Sequence, residues 1–214
     1  METKNKYIPA LKFRWLTPLY DPVLRWVMQE EGFKQLLIRQ AQIMPGQRVL
    51  DLGCGTATLT IMLKQAQPEA DVAGLDGDPE VLAIGREKIA KAGVEVRLDE
   101  GMAYSLPYPD QSFDRVVSSL VFHHLSDENK QRTLKEIFRV LTPAGEVHIA
   151  DFGRPRSLWT HLVTPLMGRL EETGELVNGL LPSRMRQAGF EQAEEIAHFN
   201  TVFGTISLYQ GRKK

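Results

Sequence analysis

Five polar side chains stand where apolar runs end, and their types define the chemistry open to this chain. The run "VLD" closes on Asp51, "VAGLD" on Asp76, "VVSSLVFHH" on His123 and His124, and "VHIAD" on Asp151. A carboxylate so placed can accept both hydroxyls of a ribose or face a ligand's positive charge. An imidazole titrates near neutrality and can take a proton from a hydroxyl or an acidic C–H, with a neighbouring acid to orient the ring. Each residue also has a structural counterpart. Asp51 could accept backbone N–H groups of the turn that follows it, and Asp76 could cap a helix. One His could face the core while the other caps the next helix, with Asp151 binding only a nearby backbone N–H. For Asp76 the sequence argues otherwise, because Asp78 stands directly before Pro79 and is the better N-cap. His123 is the preferred base of the pair: Phe122 and Leu125 read as core anchors that leave the residues between them at the mouth of a site.

Positioning these groups requires an alternation of strands and helices. Strands are expected in "VLDL", "DVAGLD", "VEVRLDE", "FDRVVSSLVF" and "GEVHIADF". Between them, a helix runs through Leu59, Ile61, Met62 and Leu63, and "PEVLAIGREKIAKAG" forms another, started by Pro79 and stopped by Gly93. A third, "DENKQRTLKEIFRVL", places Leu134, Ile137, Phe138 and Leu141 on one face. This order predicts an α/β fold with a parallel sheet, helices on both faces and right-handed crossovers, so the carboxyl ends of the strands open onto one edge. The final "EEIAHFNTVFGTISLYQGRKK" reads as two antiparallel strands around Gly204.

Composition bounds the partners. A chain of 214 residues with 43% hydrophobic residues can bury one sizeable core. A net charge of −1, with both signs mixed along the chain, argues against a surface built for nucleic acid. The single Cys54 excludes an internal disulfide and a cysteine-based zinc site, and points to a reducing, cytoplasmic setting. Lying in a glycine turn with no His near it in sequence, Cys54 reads as a small turn filler. No apolar run approaches the ~20 residues of a membrane span, so stable membrane insertion is not expected.

The turn "DLGCGTATLT" narrows the ligand. Gly53 and Gly55 let the chain turn sharply and approach a ligand closely, so a bulky side chain at Gly53 is expected to occupy ligand space. Asp76 follows at the distance expected of a ribose-binding acid. The third glycine of the dinucleotide fingerprint is replaced by Thr58, and the turn has no Lys or Arg to meet a phosphate. A nucleoside lacking phosphates fits these features. S-adenosylmethionine is such a ligand, and Asp51 can meet its cationic methionine end.

Four segments in order, "VLDLGCGTATLT", "GLDGDPEVL", "LPYPDQSFDRVVSSLVFHHL" and "EIFRVLTPAGEVHIADF", resemble the successive motifs of class I S-adenosylmethionine-dependent methyltransferases over about residues 45–153. Within that superfamily the chain is similar to the small-molecule branch that includes the ubiquinone and menaquinone biosynthesis methyltransferases. The segment "RWLTPLYDPVLRW" also resembles that branch, in which a Tyr-Asp pair, here Tyr20 and Asp21, lies on an N-terminal cap over the cofactor. The resemblance implies a Rossmann-like seven-stranded, mostly parallel sheet with a reversed last strand. It implies Asp51, Gly53 and Gly55 at the methionine portion, Asp76 at the ribose, and Gly77, Met102, Ala103 and Ser118 in the remaining cofactor contacts. Two positions depart from the family. Met102 stands where an Asp usually accepts from the adenine amino group, and Gly77 where a bulky apolar residue usually lies against adenine.

Methyl transfer needs an acceptor lone pair held in line, and a base only when the acceptor is a hydroxyl or acidic C–H. His123, His124 and Asp151 are the candidates for that role. The organisation expected is a helical cap over residues 1–40, a cofactor-binding core over 41–153, an acceptor-side helical lid over 154–189 and a strand hairpin over 190–214, all in one structural domain. Trp159, Leu162, Val163, Leu166, Met167 and Leu170 make the lid apolar, which suggests a hydrophobic or aromatic small-molecule acceptor. Arg154 and Arg156 could bind an anionic group on it or simply solvate the loop. A non-catalytic binding or scaffold protein of the same fold is the alternative, and an NAD-dependent oxidoreductase is disfavoured by Thr58. Acceptor identity and oligomeric state do not follow from the sequence.

Overall fold

The computed structural model describes residues 30–157, 160, 178–201 and 204–214. Tyr20, Asp21 and the apolar stretch from Leu162 to Leu170 lie outside the described residues, as does Trp159. The chain enters through helix α1 (Glu30–Ala41) and strand β1 (Arg48–Leu52), followed by α2 (Thr58–Ala66), β2 (Asp71–Asp76), α3 (Pro79–Ala92) and β3 (Arg97–Glu100). Strand β4 (Phe113–Ser119), a one-turn 3-10 helix (Phe122–His124), α4 (Asp127–Val140) and β5 (Leu141–Phe152) complete the first half of the fold. Helix α5 (Leu181–Gln187) and the hairpin of β6 (Glu191–Thr201) and β7 (Gly204–Arg212) close it.

The strands form a single seven-stranded sheet in the order β3-β2-β1-β4-β5-β7-β6. Strands β1 to β5 pair in parallel, whereas β7 lies antiparallel between β5 and β6. Residues Val49 to Leu52 of β1 and Val116 to Ser118 of β4 are buried without alternation, as expected for strands covered on both faces. The edge strand β6 instead exposes Glu191, Gln192, Glu194 and His198, polar groups that discourage edge pairing. Helices α1, α2 and α3 neighbour one another, and α4 packs with α5, so two helical layers enclose the sheet.

Local chemistry sets the helix boundaries. The Asp78 side chain accepts from the Glu80 N–H and Pro79 opens α3, while Gly93 ends it at φ 64°. Ser126 caps α4, which excludes His124 from the capping role offered to it above. Strand β4 ends sooner than "FDRVVSSLVF" suggests. Leu120 adopts φ 59° and the 3-10 turn follows at once, so both His lie beyond the strand and not on it.

Candidate functional site

The strand order reverses between β1 and β4, the switch point at which open α/β sheets bind ligands. Here the glycine turn curls back onto β2: the N–H groups of Gly53 and Cys54 both donate to the Leu75 carbonyl, at 2.7 and 3.0 Å. Gly53 sits at φ 71°, and a Cβ there would overlap the Val121 side chain arriving after β4. The expectation that a side chain at Gly53 would take ligand space is therefore corrected, because that space already belongs to Val121. At Gly55, with φ 52°, an added Cβ would meet nothing within 4 Å. Gly55 is the glycine that leaves the turn open to an approaching molecule.

Cys54 is buried against Gly74 of β2. Its thiol is pushed far above its ordinary pKa by burial and then by Asp51 and Asp76, which keeps it protonated and unreactive. Asp51 is 1% exposed and accepts from the Thr60 hydroxyl at 2.6 Å. Burial raises its pKa to about 6, against the lowering effects of Thr60 and of the Lys34 charge. Asp76 is half-buried: one oxygen accepts from Gly55 N–H at 2.9 Å and the other from Asp78 N–H at 3.0 Å. Its pKa too is raised, first by burial and against those backbone bonds. Each carboxylate oxygen carries two lone pairs, so Asp76 retains capacity for ribose hydroxyls. The Ser118 hydroxyl donates to the Leu52 carbonyl at 2.9 Å inside the sheet, where it ties the ends of β4 and β1 together.

On the β3 side of Asp76, Gly101 N–H donates to the Asp76 carbonyl at 3.0 Å and brings Met102 over Gly77. Gly77, Met102 and Ala103 are each half-buried along this wall. Two lysines that the sequence reading missed also reach the turn. Lys34 extends from α1 to act on Asp51, and Lys88 from α3 donates to the Thr56 hydroxyl at 2.7 Å and contacts that of Thr58 at 3.4 Å. The only signal for them is placement on helix faces that the fold turns inward. A cleft of about 430 Å³ beside them, with Ile61 and Met62 among its lining residues, is lined, among the described residues, by α1, α2 and α3. Lys34, Thr58 and Lys88 line it as well, so this helix-face groove shares residues with the glycine turn.

At the ends of β4 and β5 the chemistry differs. Asp151, wholly buried, accepts the Phe122 N–H at 2.7 Å through one oxygen. Its other oxygen accepts the Phe152 N–H at 2.8 Å and lies 2.8 Å from His123 Nδ1. Burial alone would raise the Asp151 pKa, but the His123 charge and hydrogen bond and the two backbone donors outweigh it and hold it below the ordinary value. Because a carboxylate only accepts, His123 carries its proton on Nδ1 when neutral, which puts the basic lone pair on Nε2. The ring is 5% exposed, edge-on to Phe152 at 4.9 Å and tilted against His124 at 3.9 Å. His124 makes no contact with Asp151 that would orient it. Partial desolvation, then His123, lower its pKa, an effect that water around this exposed residue screens. Arg154 is tied to the Asn178 carbonyl at 2.9 Å and Arg156 to Glu195 at 3.0 Å. Among the described residues no His, Cys, Asp and Glu cluster could hold a metal.

Residues 49–145 match the methyltransferase domain family. An uncharacterized methyltransferase of Synechocystis is 38% identical over 187 residues, covering 86% of this chain and 84% of the relative. A demethylmenaquinone methyltransferase of Deinococcus radiodurans is 29% identical over 208 residues, covering 92% of this chain and 85% of its own. The fold is shared with a solved S-adenosylmethionine-dependent methyltransferase of Aquifex aeolicus, at TM-score 0.69 and 18% identity over 98% of this chain and all of that one. The reversed seventh strand, the open glycine turn and close kinship across most of the chain converge on one conclusion: this protein belongs to the class I S-adenosylmethionine-dependent methyltransferases, which use that cofactor to methylate, here, a small molecule.

Proposed function

We propose that the protein methylates a small hydrophobic or aromatic molecule at an oxygen or an acidic carbon, with His123 as the base and Asp151 as its positioning residue. The observation that carries this reading is the 2.8 Å contact between His123 Nδ1 and Asp151 at the strand ends beside the cofactor turn. S-adenosylmethionine, when bound, supplies an electrophilic methyl group on a sulfonium. The residues fit it: Gly55 leaves open space, Asp76 keeps lone pairs for two hydroxyls, and the strained charge of Asp51 suits a cationic methionine end. Gly53 shapes the turn, Gly77, Met102 and Ala103 form the base wall, and Ser118 fastens the strands beneath it.

The depressed Asp151 pKa keeps that side chain anionic, which fixes the ring orientation and stabilises the imidazolium formed when Nε2 accepts a proton. The name of the Deinococcus relative specifies a hydrophobic quinone-type acceptor, which supports this class of substrate. Among the described residues no helix is long and apolar enough to cross a membrane. The lone, buried and unreactive Cys54 supports residence in a reducing cytoplasm.

The test is transfer of labelled methyl from S-adenosylmethionine to a panel of phenols, reduced quinones, simple amines and polar metabolites. Label is expected in the apolar phenols or reduced quinones, at a rate that rises with pH. Label confined to amines or polar metabolites would remove this reading.

A further inference from the structure

The cleft between α1 and α3 has the outer face of α2 as its floor, and its chemistry differs from that of the cofactor turn. Thr58, Ile61, Met62 and Gln65 follow one another along that floor, at the spacing that keeps residues on one side of a helix. From Thr58 to Gln65 a helix rises by about 10 Å, and the volume of about 430 Å³ is that of a small-molecule site. Asp51, Gly55 and Asp76 are not among its lining residues, so the cleft runs away from the strand ends and meets the turn only at Thr58.

The walls are cationic. Lys34 from α1 and Lys88 and Lys91 from α3 line the cleft with a single carboxylate, Glu31. Lys34 is only 7% exposed, which holds its charge inside the protein. Lys88 is half-buried, and its bond to the Thr56 hydroxyl at 2.7 Å keeps the ammonium at the turn end. Three ammonium groups against one carboxylate, over a floor that includes Ile61 and Met62, focus a positive potential on a partly apolar surface. An inorganic anion would leave the apolar floor wet, and a neutral hydrocarbon would bring no counter-charge to the lysines. A molecule with a negative head and a hydrocarbon body satisfies both.

Two of these lysines also join the cleft to the cofactor turn. Lys88 bonds Thr56, the neighbour of Gly55, and the Lys34 charge acts on Asp51. A negative head in the cleft competes with Thr56 and Asp51 for the same ammonium groups.

We propose that this cleft is a second ligand site, for a small amphipathic anion, and that its occupation opposes cofactor binding at the adjoining turn.

The experiment is calorimetry on the full chain with monomeric octyl phosphate, and with inorganic phosphate and octanol as the two halves of that probe. Octyl phosphate is expected to bind about tenfold or more tightly than either half, because it alone engages both the lysines and the apolar floor. Lys91→Glu and Met62→Glu, both within the cleft and off the turn, should each weaken it by about fivefold or more. Neither should change the affinity for S-adenosylhomocysteine measured without the probe. Lys91 is exposed in the last turn of α3 and carries this test should Met62→Glu fail to fold. Saturating octyl phosphate should raise the apparent Kd of S-adenosylhomocysteine by about fivefold and then level off, as coupling between two separate sites requires.

A rise that continues without limit would mean that the two ligands share one site, and would overturn the proposal. Equal binding of the three probes, wild-type affinity in Lys91→Glu, or an unchanged Kd for S-adenosylhomocysteine would do the same. Tighter binding to phosphatidate-containing vesicles than to monomeric octyl phosphate would assign this face to a membrane and likewise overturn it.

Discussion

The two halves of the site treat their buried carboxylates in opposite ways. At the ends of β1 and β2, Asp51 and Asp76 are desolvated without full compensation, and both pKa values are raised. At the end of β5, Asp151 is even more enclosed, yet two backbone N–H groups and an imidazole hold its pKa below the ordinary value. On the function proposed above, the difference separates the carboxylates left for a ligand from the one already engaged by its own chain. A carboxylate whose charge is poorly satisfied gains from hydroxyls or a positive charge brought from outside. A carboxylate saturated by its own chain can only fix its neighbours, so Asp151 positions His123 and the turn after β4.

The contrast is broken most severely at His123. With an acceptor whose proton must leave, His123→Ala should slow single-turnover methyl transfer by about 10²–10⁴ while cofactor affinity stays nearly intact. Equal losses of affinity and rate would place His123 in the cofactor half instead. Asp151→Ala should lower stability by about 3–5 kcal/mol in urea unfolding, because Phe122 N–H, Phe152 N–H and the His123 ring lose a common buried partner. Calorimetric affinity of the surviving folded protein for S-adenosylmethionine should not follow that loss. Asp76→Ala is expected to behave in the opposite sense, weakening the cofactor by about ten- to a hundredfold through lost charge-assisted hydrogen bonds, with a small change in stability.

The smallest effect, and the one that sharpens the comparison, depends on pH. Asp51 titrates near 6 in the folded, ligand-free protein against an ordinary 3.8. The folded state thus holds a proton there that the unfolded chain has released, so Asp51 contributes most to stability at low pH. That contribution declines as pH rises through about 4 to 6. Asp151 has the reverse sign: its contribution is present above the ordinary carboxylate pKa and is lost as pH falls through the lower folded value. A cationic ligand on Asp51 displaces its proton. Cofactor affinity should therefore fall below pH 6, by about tenfold at pH 5 relative to pH 7, with proton release visible in buffers of different ionisation enthalpy. Asp51→Asn should flatten that profile.

The sequence alone determined the elements and their order, because each rests on short-range rules. Apolar runs of strand length, Asp78 before Pro79 and Gly93 after Ala92 mark their own boundaries. The same locality made the strand-end acids legible, since a residue closing a buried parallel strand must emerge at the sheet's carboxyl edge. What needed the tertiary structure was every relation across the chain. Gly53 is required by Val121, which arrives 68 positions later, and no local pattern announces that overlap. Only the pairing of β4 with β5 and the left-handed turn at Leu120 decide that His123, and not His124, meets Asp151. Nothing in the local sequence marks Lys34 or Lys88, and only packing of α1 and α3 lets the one act on Asp51 and the other bond Thr56 of the glycine turn. Met102 and Gly77 are two separate departures in the sequence, and packing brings the Met102 thioether against the place a Cβ at Gly77 would take. The physical reason is common to all four: propensity and periodicity act within a few residues, whereas steric fit and charge balance are set by neighbours that only the closed sheet brings together.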